Sequence, residues 1–276
     1  MPATALIAGT GALPVLLAQR LEAEGAPFLL AEMEGHPAQA RPGWRVERFC
    51  VEQLAKLFER LREAGVSRVV FAGAVTRPQI DPSRIDPETA QFLPRLLAAL
   101  QQGDDVLLRA VIALFEEAGF EVVGAEAIAP ELVPGEGVLT SVQPSEADRS
   151  DAARAAEIVA ALGALDVGQG AVVAQGLCLA VETLPGTDAM LRWVADVAGA
   201  SRPDARGAGG VLYKAPKPGQ ERRVDLPAIG PETIAGAARA GLAGVVIEAG
   251  GVMILDRAAT LDEADRQGLF LWARSP

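Results

Sequence analysis

The first 124 residues run as short apolar stretches, each closed by glycine or polar residues and followed by a helical repeat, and that rhythm restricts the chain to a layered α/β fold. Residues 5–8 (ALIA) read as a strand ending at Gly9. Leu13, Leu16, Leu17 and Leu21 fall at helical spacing across residues 13–24, with Gly25 where a C′ residue belongs. Residues 28–33 read as a second strand, 51–64 as an amphipathic helix stopped by Gly65, and 68–72 (RVVFA) as a third strand. Two more helices, over 89–101 and 104–118, and a strand over 120–124 complete this half. Strand–helix alternation of this kind implies parallel strands with right-handed crossovers in a doubly wound, Rossmann-like sheet.

The rhythm changes after a Pro/Gly-rich stretch at 130–137 (PELVPGEG), which divides the chain into domains over 1–134 and 135–276. Beyond it we read a helix over 147–162, two apolar strands around Gly176, and a helix over 187–198 with Thr187 as its N-cap. A helix over 232–240, a hairpin over 245–255 turning at Gly250-Gly251, a helix over 260–266 and a strand over 269–273 follow. Hairpins mixed with helices predict an α/β domain with a mixed sheet. Half of the residues are hydrophobic but only 4% are aromatic, so the core is built of Ala, Val, Leu and Ile, which suits helices packed on buried strands.

Charge and scarce residue types exclude whole function classes. A net charge of -11 argues against a sequence-independent nucleic-acid binder. No apolar run approaches the ~20 residues needed to span a bilayer. The opening MPATALIAGTG carries neither a basic n-region nor a cleavage site, and the two cysteines, Cys50 and Cys178, read as reduced packing residues, so the expected compartment is the cytoplasm. His36 is the single histidine, in a Pro/Gly-rich loop where we expect it exposed. One histidine cannot build a multi-histidine zinc or binuclear phosphoesterase site, and no G-x-S-x-G elbow supports a serine triad. Chemistry must then rest on carboxylates, cations, backbone amides and a hard metal ion.

Several segments could carry it. Residues 214–230 (KAPKPGQERRVDLPAIG) bring Lys214, Lys217, Arg222 and Arg223 together with three prolines and the carboxylate of Asp225. Prolines remove backbone donors and fix φ, so this is neither a regular helix nor a central strand. The cations could neutralise a diphosphate, and Asp225, ionised beside them, could hold a metal or orient water. A solvated basic loop is the plain alternative. Gly9, Gly11 and Ala12, between a strand and a helix, suit a ligand turn at the helix N-terminus, although Pro14 stands where a dinucleotide fingerprint has its third glycine. Arg77, in FAGAVTRP, would lie on the same sheet edge, or be merely a surface arginine. Asp104 and Asp105 could hold Mg2+, but capping a helix is the better account. Gln169, in GQG, and Thr187 and Asp188, in PGTD, place polar groups at element boundaries where an anion could sit, and ordinary capping explains the last two as well. Glu182, Glu248 and Asp256 fall on expected strands, where a buried carboxylate needs a partner.

Taken in order, LIAGTGALP, FAGAVTRP, GDDVLLR, DVGQGAVV, PGTDAMLR, KAPKPGQERRVDLPAIG and ARAGLAGVVIEAG resemble the LpxI-type UDP-2,3-diacylglucosamine pyrophosphatases of Gram-negative lipid A biosynthesis across nearly the whole chain. Thr10 and Ala74 depart from the family pattern. The resemblance implies a Rossmann-like N-terminal domain, a C-terminal α/β domain, and substrate lying between them. It implies Mg2+-dependent cleavage of UDP-2,3-diacylglucosamine to UMP and 2,3-diacylglucosamine 1-phosphate (lipid X), with Asp225 the essential residue and a metal ligand. Substrate contacts would come from Gly9, Gly11, Ala12, Arg77, Gln169, Thr187, Asp188, Lys214, Lys217 and Arg223. A homodimer, with at most peripheral contact to the inner membrane and no nucleic-acid partner, completes the expectation. The residues alone leave two further readings, a dinucleotide-binding oxidoreductase and a non-enzymatic carrier of a nucleotide-lipid.

Overall fold

The computed structural model describes residues 3–75, 80–102 and 104–276, and the chain divides into two compact units, 1–130 and 131–276. In the first, β1 (Ala3–Ala8), α1 (Leu13–Ala23), β2 (Phe28–Met33), β3 (Val46–Phe49), α2 (Leu54–Glu63) and β4 (Val66–Ala72) are followed by α3 (Leu93–Leu100), α4 (Asp104–Glu117) and β5 (Glu121–Val122). The five strands are all parallel, in the order β3-β2-β1-β4-β5. That is the doubly wound order, reversing direction between β1 and β4. Phe58, Phe71, Phe115 and Phe120 fill one side of the core with edge-on and tilted ring contacts.

The strand-to-helix turn after β1 is locked to the loop after β4. Thr10 and Ala74 exchange backbone bonds at 2.8 and 2.9 Å, and the Thr10 hydroxyl also donates to Ala74 O. The approach leaves no room for side chains. A Cβ on Gly9 would lie 2.4 Å from Ala74 O, and one on Gly73 (φ +89°) 2.4 Å from Thr10 O.

In the second unit, β6 (Gly137–Val138) and α5 (Glu146–Ala164) precede the hairpin of β7 (Gly170–Ala174) and β8 (Leu177–Val181). Then come α6 (Thr187–Asp196), β9 (Val211–Lys214), β10 (Ala228–Ile229), α7 (Pro231–Arg239), β11 (Gly244–Glu248), β12 (Met253–Ile254), α8 (Arg257–Gln267) and β13 (Phe270–Arg274). Six strands form a mixed sheet, β6-β13-β11-β9-β7-β8, in which β9, β11 and β13 run parallel. Alternate residues serve opposite faces. Val172, Leu212, Val245 and Ile247 pack toward α6, α7 and α8, whereas Ala171, Val173, Val211, Tyr213 and Val246 pack toward α5. Ser145 starts α5 with a capping box to Asp148. One turn on, Asp151 accepts from the amides of Gln175 and Gly176, whose positive φ values of 56° and 79° make the tight β7–β8 turn.

Several expectations need correction. Residues 245–255 are not a hairpin: β11 lies between β9 and β13, while β12 pairs in parallel with β10 in a separate two-stranded sheet. All five residues of β11 are buried, as befits a parallel strand covered on both faces. The N-cap of α6 is Gly186, at φ 84°, not Thr187. Asp256 is the N-cap of α8, accepting from Ala259 N, rather than a strand residue. His36 is buried, because a turn donating His36 N to Met33 O folds the residue inward. Cys178, expected to be packing, is exposed on the sheet-edge strand β8, whereas Cys50 is buried.

Candidate active site

Strand register assembles a row of polar side chains along one edge of the second sheet. Gly170 and Ile247 flank Lys214, and Glu248 pairs with Arg274, so the carboxyl ends of β9, β11 and β13 coincide with the start of β7 and the end of β8. The carboxyl edge of parallel strands is where open α/β sheets take ligands. The segment 215–227 leaves β9 at this edge. Its course is fixed by Ala215 N donating to Gln169 O, by Pro218 against Gly163 of α5, and by Met253 N donating to Pro227 O.

Lys214 is almost fully buried, and its ammonium donates to the Thr187 hydroxyl at 2.7 Å. That hydroxyl donates in turn to Glu182 Oε2 at 2.9 Å, and the same carboxylate oxygen lies 3.9 Å from Lys214 Nζ. Burial pulls the Lys214 pKa below the ordinary lysine value, against the opposing pull of Glu182 and Asp188. The glycines of GQG make room for this arrangement. A Cβ on Gly168 would strike Glu182 O at 2.0 Å, and one on Gly170 would lie 2.6 Å from Glu182 Oε2. Gln169, between them, keeps its buried Oε1 without a hydrogen-bond partner among the described residues.

The basic loop is internally paired. Lys217 bonds Asp166, Arg222 bonds Glu248 at 2.8 Å, and Arg223 grips Glu221 with Nε at 2.9 Å and Nη2 at 3.0 Å. Gln220 organises the turn: its Oε1 accepts from Lys217 N at 2.7 Å, and its Nε2 donates to both Asp225 O and Asp225 Oδ2. Asp225 itself is exposed at the loop's end. Four cations that read as free phosphate ligands therefore meet carboxylates first, and the sole acid within the motif's R-x-D segment is oriented by a buried glutamine.

The structure brings Thr187, Lys214 and Gln169 to one edge, and Lys217, Arg223 and Asp225 into the loop that leaves it. Asp188 is exposed in the first turn of α6, near enough to Lys214 to act on its charge. Gly9, Gly11 and Ala12 belong to the first unit, where Ala12 is the N-cap of α1 and no side chain caps that helix. Arg77 lies outside the described residues. Asp105 bonds Arg109 one turn on at 2.7 Å, in keeping with a helix-start role. Glu182, Glu248 and Gln220 join the site beyond the residues expected there. The two acids carried a signal, being carboxylates on strands that needed partners; Gln220 stood inside the motif, but only the folded loop shows what it holds. Among the described residues no three His, Cys, Asp or Glu side chains converge as a metal cage.

Comparison with known proteins places both units. Residues 3–132 match the LpxI N-terminal domain and residues 135–272 the LpxI C-terminal domain. The chain is 45% identical over 271 residues, 98% of its own length and 97% of the relative's, to the UDP-2,3-diacylglucosamine pyrophosphatase LpxI of Caulobacter vibrioides.

Proposed function

The chain belongs to the LpxI family, and we propose that it hydrolyses the diphosphate of UDP-2,3-diacylglucosamine to UMP and 2,3-diacylglucosamine 1-phosphate. The observation that carries the proposal is Asp225, an exposed carboxylate oriented by Gln220 within a loop of three cations that follows Lys214. Exposed ion pairs contribute only ~0–1 kcal/mol, so a diphosphate can displace Asp166 from Lys217 at small cost, and it can compete with Glu221 for the partly buried fork of Arg223. Lys214, fixed by Thr187 and Glu182, adds a positive charge that does not have to be reorganised when the substrate arrives.

In the proposed reaction a water oxygen forms a bond to one phosphorus and the anhydride P–O bond breaks. The bonding pair leaves with the departing phosphate. Asp225 orients the water and takes its proton, which passes to solvent. Magnesium fits this donor set as an ion carried by the diphosphate, since Mg2+ is commonly held by one or two carboxylates together with substrate phosphates and waters. Asp225 is the carboxylate that the loop offers it. When bound, the ion would offset charge on the diphosphate and polarise the reacting phosphorus.

No helix among the described residues is long and apolar enough to cross a membrane, and we propose peripheral contact with the cytoplasmic face of the inner membrane as the route to a lipid substrate. We further propose a homodimer. The outer strand β8 supports it, because Leu177 and Cys178 lie exposed on a sheet edge that pairs with no further strand among the described residues. The test of the activity is 31P NMR of purified enzyme with UDP-2,3-diacylglucosamine. The diphosphate doublets should give way to two phosphomonoester signals with Mg2+ and persist with chelator. Persistence under both conditions, with substrate bound, would replace the hydrolase by a carrier.

A further inference from the structure

We infer that the first unit carries a ligand site of its own, a pocket at the carboxyl ends of β2 and β3 that takes a nucleoside 5′-monophosphate. The cavity measures about 410 Å3, within the usual range of ~300–1,000 Å3 for small-molecule sites. Four cations line it, Arg48, Lys56, Arg60 and Arg84, against one acid, Glu34. Such a cluster stands out in a chain of net charge -11 and calls for an anionic ligand.

The three arginines are leashed by carboxylates: Arg48 to Glu32 at 3.1 Å, Arg60 to Glu47, and Arg84 to Glu34 through Nη1 and Nη2. Lys56, exposed on the first turn of α2, has no carboxylate partner among the described residues. It is the cation most open to a phosphate. Phe49 and Leu57 give the same cavity an apolar wall on which a base can lie.

Position in the fold selects the nucleoside. In a sheet of order 3-2-1-4-5, an acid ~20 residues past the turn after the first strand, at the end of the second, bonds the ribose hydroxyls; that turn is not among the described residues lining this cavity, so the phosphate here falls to Lys56 and the arginines. Glu32 and Glu34 are the acids at that distance from the turn at Gly9–Ala12. Glu32 is buried and already accepts from Ala38 N and Arg48. Glu34, exposed and held by Arg84, is left as the acceptor for a ribose diol. The choice of UMP as the ligand rests on the proposed reaction, which releases it.

The test is calorimetric titration of the full-length protein with UMP and with inorganic phosphate, for wild type, Lys56→Glu and Asp225→Ala. UMP should bind wild type and Asp225→Ala alike, and Lys56→Glu should weaken binding about 10-fold or more, since it replaces an attraction with a repulsion. In a Cys178→Ser background, UMP should also slow alkylation of Cys50, which lines the pocket. Three results would each overturn the inference: no UMP binding by wild type, equal UMP binding by Lys56→Glu, or inorganic phosphate binding as tightly as UMP. Hydrolysis of the UDP-lipid is read separately. Its loss with UMP binding intact would strike only the proposed function, and its persistence without UMP binding only the pocket.

Discussion

Replacing Glu182 by Gln tests how the candidate site keeps a positive charge buried. The amide preserves the shape and can still accept from Thr187, so the change isolates charge. At 3.9 Å, with an effective dielectric near 20, the lost attraction to Lys214 is about 4 kcal/mol. Relief from desolvating Glu182 itself returns part of that, leaving a net destabilisation of about 2–3 kcal/mol at pH 7. The pH dependence has a definite sign. Lys214 titrates below the ordinary lysine value of 10.5 because of burial, so the unfolded chain binds that proton more tightly. Stability therefore rises with pH between the folded and unfolded pKa values. Glu182→Gln removes one of the two influences that oppose the depression, so the window extends to lower pH. As pH rises past the folded-state pKa of each protein the lysine loses its charge, and the difference between them should shrink. Urea denaturation at pH 7 and pH 10, with m-values compared, reads this directly. A deficit below ~1 kcal/mol at pH 7, or one that is equal at both pH values, would refute the account of Lys214.

Gln220→Leu should lower kcat about 100-fold while leaving the fold intact, because it frees Asp225 from its orienting amide; steady-state kinetics at saturating Mg2+ checks this, and an unchanged kcat would remove Gln220 from the site. Gly9→Ala and Gly73→Ala should each cost about 2–4 kcal/mol in urea titrations, because both Cβ atoms would meet carbonyl oxygens at 2.4 Å. Gly11→Ala, at φ +100° with open space around it, should cost only ~1–2 kcal/mol of backbone strain. Ser145→Ala should cost ~1 kcal/mol by opening the capping box of α5.

Much of this architecture is legible in the amino-acid order because long apolar runs with one period leave little choice. β1, β2 and β4 and the helices between them announce themselves in that way. β3 does not. Val46–Phe49 reads VERF, a half-buried strip at the sheet edge with charged residues in it, and no periodicity marks it as a strand. The two-residue strands β6, β10 and β12 are too short to show a period at all. The Gly250-Gly251 pair misled for a physical reason: paired glycines suit a hairpin, yet the fully buried run before them belongs to a parallel strand, and the turn leads to a different sheet.

The site divides similarly. Density of prolines and cations marks residues 214–230 as a loop with chemistry, and Asp225 as its acid. What the order of residues withholds is pairing at a distance. Asp166, Glu182 and Glu248 are 51, 32 and 26 positions from the cations they hold, and only register across β7, β8, β9 and β11 brings them there. Thr187 shows the same limit. A threonine at a helix start reads locally as a cap, whereas its hydroxyl is taken up between Glu182 and Lys214.

The most direct test of the central claim is a single-turnover comparison of wild type with Asp225→Asn, the isosteric change that removes the charge and keeps the shape. UMP release from UDP-2,3-diacylglucosamine would be timed at enzyme excess with Mg2+, and binding of the intact UDP-lipid measured in parallel. The account predicts bound substrate in both proteins and a rate at least ~1,000-fold lower in Asp225→Asn. Release at a rate near that of wild type would contradict it and move the essential carboxylate elsewhere in the chain.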